Sequence, residues 1–184
     1  MLNTENNMRL DTRYSNMQAL FLVLLRVLIG WHFLYEGIAK LVKPNWSAAG
    51  YLLQSKWILS DIFVWMAETP KVLAVVDFLN IWGLIFIGLG LILGCFTRIA
   101  SLAGVALIML YYVCNPPLPG FYYTMPMEGN YLIVNKNLVE AAALLVVYGF
   151  PSGHILGLDR LISRLFSGKR GKSATSQTIK ERDI

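Results

Sequence analysis

The chain has 184 residues, of which 56% are hydrophobic and only 15% charged, with a formal net charge of +5. A soluble domain carries about 25% charged residues. This composition therefore excludes a water-soluble globule for want of polar surface, and the mean hydropathy of +0.54 points to a membrane. The positive charge lies largely near the C-terminus, where it suits anionic lipid rather than nucleic acid.

Residues 1–16 are polar and Asn-rich and read as a loose N-terminal segment. The first apolar run, about Met17–Val42, exceeds the roughly 20 residues needed to cross a bilayer. It starts late, is too long and lacks a small-residue cleavage site, so a removable signal peptide is not expected. Pro44 ends this helix. Residues 43–70 are too polar to span, yet Trp46, Tyr51, Trp57 and Trp65 suit the membrane–water boundary. One or two short interfacial helices are predicted there, with Asn45 and Ser47 able to cap them.

A second span is predicted over Lys71–Gly94 and a third over Arg98–Cys114, framed by Arg98 and by Asn115-Pro116-Pro117. Gly83, Gly88, Gly90, Gly94 and Gly104 favour close helix packing, and Gly90 with Gly94 forms a small-xxx-small pair. Residues 115–130 are proline-rich and extended. The fourth span is placed at Tyr131–Phe150, within a transmembrane domain of residues 17–165, followed by a basic disordered tail, residues 166–184.

Basic residues set the orientation. Arg9 and Arg13 precede the first span, Arg98 separates the second from the third, and Arg160, Arg164, Lys169, Arg170, Lys172, Lys180 and Arg182 follow the fourth. The expected fold is thus an all-α, integral membrane four-helix bundle with both termini cytoplasmic and residues 43–70 and 115–130 outside. Cys95 and Cys114 fall on opposite faces and cannot form a disulfide with each other. No metal-type His/Cys cluster is present, and no metal is expected.

The first span carries Arg26, His32, Glu36 and Lys40. At 100° per residue, Arg26, Gly30, Phe33, Gly37 and Lys40 share one face, with Glu36 at its edge and His32 slightly beyond. Trp31 and Tyr35 point the other way, towards lipid. Arg26 lies about 13 Å from the inner end of the helix at 1.5 Å per residue. Inserting it costs at least about 2.5–3.5 kcal/mol, so it demands a partner, from a ligand or from Asp77 or Glu140. Asp77 and Asn80 lie in the outer half of the second span, and Lys136, Asn137 and Glu140 open the fourth. Unlike charges from three helices thus converge on one volume in the outer half of the bundle. Register-fixing ion pairs and a ligand site are both open for this cluster. Glu36, His32 and Glu140 are the acid–base candidates; Arg26, Lys40, Asp77, Lys136 and Asn137 are the ligand-binding candidates.

The blocks "RVLIGWHFLYEGIAKL", "GLILGCFTRIASLAG" and "GHILGLDRLI" together resemble the DoxX family of small four-helix membrane proteins, over roughly residues 20 to 162. The carriers are Arg26, Gly30, Gly37 and Lys40; the Leu-Gly-x-x-Thr-Arg turn with Cys95 and Phe96 at its variable positions; and Gly157-Leu158-Asp159. The family includes the DoxD subunit of thiosulfate:quinone oxidoreductase. The resemblance implies a membrane subunit of a quinone-linked oxidoreductase acting on thiosulfate or another sulfur compound, with quinone as cofactor. No thiosulfate-site motif carries across residue by residue.

The alternative is a non-catalytic scaffold that docks a redox partner protein in the envelope. A proton-linked carrier would require an inverted repeat or oligomerisation. Membrane lipid, a redox partner and a second copy of the chain are the expected partners. The bacterial inner (cytoplasmic) membrane is the expected location.

Overall fold

The computed structural model describes residues 15–124 and 132–150. Its elements are α1 (Asn16–Val42), α2 (Ala49–Leu52), α3 (Ser60–Glu68), α4 (Pro70–Leu93), α5 (Thr97–Cys114) and α6 (Lys136–Gly149), with no strand among the described residues. Three of them, α1, α4 and α5, are long and apolar enough to cross a membrane. At 1.5 Å per residue, the 27 residues of α1 extend about 40 Å.

The local chemistry explains the boundaries. The Ser15 N–H donates to Gln18 Oε1 at 3.0 Å as α1 begins. Pro70 occupies the first turn of α4, where its missing N–H costs nothing. That helix ends at Gly94, whose φ of 65° is the left-handed conformation glycine adopts most readily. Phe96 is also left-handed, at φ 51°. The Leu-Gly-Cys-Phe-Thr-Arg turn thus reverses the chain within three residues and starts α5 at Thr97.

The fourth predicted span differs from expectation. Its helix, α6, starts at Lys136 and runs for 14 residues. Asn135 caps it, its side chain accepting from the Leu138 N–H at 3.2 Å. Leu132, at φ 65°, breaks helical continuity ahead of that cap. Tyr131 and everything beyond Phe150, including the Gly157-Leu158-Asp159 block, His154 and the basic tail, lie outside the described residues.

α1 lies along α4, and α5 along α6. Glycines set the first of these contacts. A Cβ on Gly88 would stand 2.6 Å from the Leu34 backbone nitrogen and 2.7 Å from the Gly30 carbonyl oxygen, and one on Gly37 would stand 2.7 Å from Ile85. The close approach therefore runs through Gly30, Gly37 and Gly88. Gly90 instead faces Ala100 on α5, and Gly94 caps α4. Ile29, Phe33, Leu84, Ile87, Leu91 and Leu144 form the buried centre. Trp31 and Tyr35 are 60% and 61% exposed on the opposite face of α1, as a lipid-facing surface requires.

The interfacial segment packs on the end of α5. Ala48, Leu52, Phe63 and Cys114 make a second apolar cluster. Polar contacts fasten it: Tyr51 Oη donates to the Tyr111 carbonyl at 2.8 Å, Ser55 Oγ to the Cys114 carbonyl at 2.8 Å, and Asn115 Nδ2 to the Tyr51 carbonyl at 3.0 Å.

Candidate functional site

His32 and Glu140 meet across the α1–α6 seam. His32 Nδ1 donates to Glu140 Oε1 at 2.6 Å, a short charge-assisted bond. The pair lines a cavity of about 340 Å³ to which Glu36, Lys40, Lys136 and Asn137 also contribute. Phe33, Leu84 and Ile108 supply its apolar floor. His32 stands about 15 Å from the C-terminal end of α1 at 1.5 Å per residue, in the C-terminal half of the helix.

The α1–α6 side is the thin wall of this cavity. Among the described residues these two helices touch only sparsely. The side chains of His32 and Glu36 are 36% and 45% exposed there.

Lys40 stands at the upper end. Its Nζ donates to Asn80 Oδ1 at 3.2 Å and lies 5.2 Å from the Trp46 ring centroid and 5.4 Å from that of Tyr111. Glu36 Oε2 is 3.9 Å away, one turn below, close enough for ionic attraction but too far for a hydrogen bond. Above Lys40 lies a second cavity of about 300 Å³ beneath the interfacial segment. Lys40, Tyr51, Tyr111 and Asn137 line both. Burial raises the Tyr51 phenol well above its ordinary value, so it stays a neutral donor to the Tyr111 carbonyl.

Six of the eight candidates from sequence therefore surround one volume: His32, Glu36, Lys40, Lys136, Asn137 and Glu140. The other two sit elsewhere. Asp77 accepts the Ala48 N–H at 2.8 Å and so ties α4 to the start of α2. Arg26 is 2% exposed and lies about 9 Å deeper than His32 at 1.5 Å per residue, below the residues that line the cavity. Glu140 engages His32, and Asp77 engages the Ala48 N–H.

Tyr111, Tyr51, Asn80 and Trp46 complete the site and were not among its candidates. Tyr111 reads as one more apolar position of α5, and Trp46 and Tyr51 as boundary aromatics. The only signal in the sequence was Asn80, a lone amide one turn from Asp77.

With this geometry in view, the DoxX family model matches residues 21–114, just over half of the sequence. The chain belongs to the DoxX family. The match runs from α1 through α5, so it includes His32, Glu36 and Lys40, while the DoxX protein's Lys136, Asn137 and Glu140 lie beyond it. No curated protein and no solved structure matches the chain. Family membership and the three long apolar helices together make it an integral membrane protein.

Proposed function

We propose that this DoxX protein is the membrane subunit of a quinone-linked oxidoreductase in a bacterial cytoplasmic membrane. It crosses the membrane four times, with both termini cytoplasmic and the α2–α3 segment outside. The observation that supports this best is the His32–Glu140 pair on the wall of an apolar-floored cavity.

The residues fit a quinone head group, which is flat and carries carbonyl oxygens that accept hydrogen bonds. Phe33, Leu84 and Ile108 offer apolar surface, and His32, Lys136 and Asn137 offer donors. When bound, a quinone supplies an acceptor for two electrons and two protons. Glu140 fixes the His32 ring through Nδ1, which leaves Nε2 to carry a proton into the cavity. Glu36, one turn above, returns the proton to His32, and Lys40 balances the Glu36 charge. Electrons come from a reduced sulfur compound, thiosulfate being the candidate, by way of a redox partner protein.

The test is quinone reduction by the assembled complex in membrane vesicles. Glu140→Gln and His32→Asn should each lower turnover about 100-fold or more, the range of general acid–base catalysis, with assembly intact. Full turnover in correctly assembled variants would sink the catalytic role and leave the protein a scaffold.

A further inference from the structure

The outer cavity has a chemistry of its own. Among the described residues it is lined by one cation, Lys40, with aromatic and apolar surface from Trp46, Tyr51 and Ala48 around it. An ammonium has three N–H donors. Asn80 takes one at 3.2 Å, two ring faces flank the group, and Glu36 is out of hydrogen-bonding range at 3.9 Å. Donor capacity is therefore left over for a ligand.

One neighbouring group also offers donors. Asn80 turns its oxygen to Lys40 and its amide to the Tyr111 hydroxyl, so it holds the ammonium in place and is not itself a donor to the ligand. Asn137 is the second residue of α6, so it brings an amide side chain together with the positive end of a 14-residue helix. The Tyr51 hydroxyl is already committed to the Tyr111 carbonyl, so that ring contributes apolar surface.

Charge decides which acceptor fits. A dianion would leave one unit of charge uncompensated in a low-dielectric site, because Lys40 is the one cation lining the cavity among the described residues and Glu36 already draws on it. A second ammonium would be repelled. A neutral molecule would leave the leftover N–H donor of Lys40 with only a weak partner. A monoanion with an apolar body satisfies both the cation and the aromatic walls. At about 300 Å³ the cavity lies at the small end of ligand pockets and suits a small organic acid.

We propose that the cavity between Lys40 and the interfacial segment binds an organic monocarboxylate, its carboxylate on Lys40 and Asn137 and its apolar body against Trp46 and Tyr51. This site shares Lys40, Tyr51, Tyr111 and Asn137 with the cavity of the His32–Glu140 pair, but neither His32 nor Glu140 lines it, and carboxylate binding does not require quinone chemistry.

The experiment is calorimetric titration of the full-length protein in lipid nanodiscs with benzoate and with hexanoate, followed by competition with sulfate. Saturable binding of both acids is expected, undisturbed by equimolar sulfate. Lys40→Met should weaken it about ten- to a hundredfold, the worth of a charge-assisted hydrogen bond. Asn137→Leu, on another helix, should weaken it by a smaller factor and decides the matter if Lys40→Met does not fold. Absence of saturable binding, indifference to the substitutions, or sulfate displacing benzoate at equal concentration would each overturn the proposal.

Discussion

His32 and Glu140 are 108 residues apart in sequence, and their Nδ1 and Oε1 atoms lie 2.6 Å apart across the sparse α1–α6 seam. Polar pairs between membrane helices contribute about 0.6 kcal/mol on average and at most about 2 kcal/mol. A purely structural pair would therefore move stability slightly and nothing else. Glu140→Gln should lower the unfolding free energy in lipid by less than about 2 kcal/mol, measured by thermal or denaturant unfolding. The much larger fall in turnover expected of a proton-handling pair separates the two roles.

The α1–α4 contact should tolerate no side chain at Gly88. An added Cβ would meet the Leu34 backbone nitrogen at 2.6 Å, and backbone cannot swing aside. Gly88→Ala is expected to cost about 1–3 kcal/mol, as overpacking does. Gly83→Ala, where no atom stands within 4 Å, should be neutral or slightly stabilising. Unfolding midpoints of the two variants side by side provide the check.

Packing and lipid exposure on α1 should separate in the same way. Phe33 is buried in the core, whereas Trp31 faces outward. Phe33→Ala should cost about 3–5 kcal/mol, and Trp31→Leu less than about 0.5 kcal/mol. Similar losses at both positions would place the lipid face wrongly.

The interfacial segment should loosen in alkali. The Tyr51 phenol is raised by burial, so the folded protein keeps a proton that the unfolded chain releases above about pH 10. Where the unfolded state binds fewer protons, stability falls as pH rises. The contribution is thus complete below about pH 10 and is lost from there towards the raised folded value. Tyr51→Phe removes the bond to the Tyr111 carbonyl, at a cost of about 1 kcal/mol, and should flatten this alkaline fall. Amide hydrogen exchange over residues 48–55, followed from pH 8 to 11, reads both effects.

Much of the bundle was legible in the sequence because hydrocarbon imposes simple rules. Long, predominantly apolar runs marked α1, α4 and α5, Pro44 and Gly94 punctuated them, and the wheel separated Trp31 and Tyr35 from the charged face. The cluster was legible for the same reason, since ionisable groups inside a span must turn towards neighbouring helices. Partnership was not. Which carboxylate meets His32 depends on how α6 is seated, and its start is set by the Asn135 cap and the left-handed Leu132 rather than by hydropathy. Asp77 has the charge to match a buried cation, yet its carboxylate accepts the Ala48 backbone N–H, a contact that no spacing in the sequence announces. Tyr111 was hidden because an aromatic in an apolar helix has the same pattern whether it faces lipid, core or a cavity.

The most direct test of a bilayer-facing quinone site is photo-crosslinking with an azido-quinone in native membranes, mapped by peptide mass spectrometry. Label on α1 between His32 and Lys40 and on α6 between Lys136 and Glu140, suppressed by excess unmodified quinone and by His32→Leu, is the predicted result. Label scattered over the lipid-facing residues, or concentrated away from the α1–α6 seam and indifferent to competitor, would contradict it.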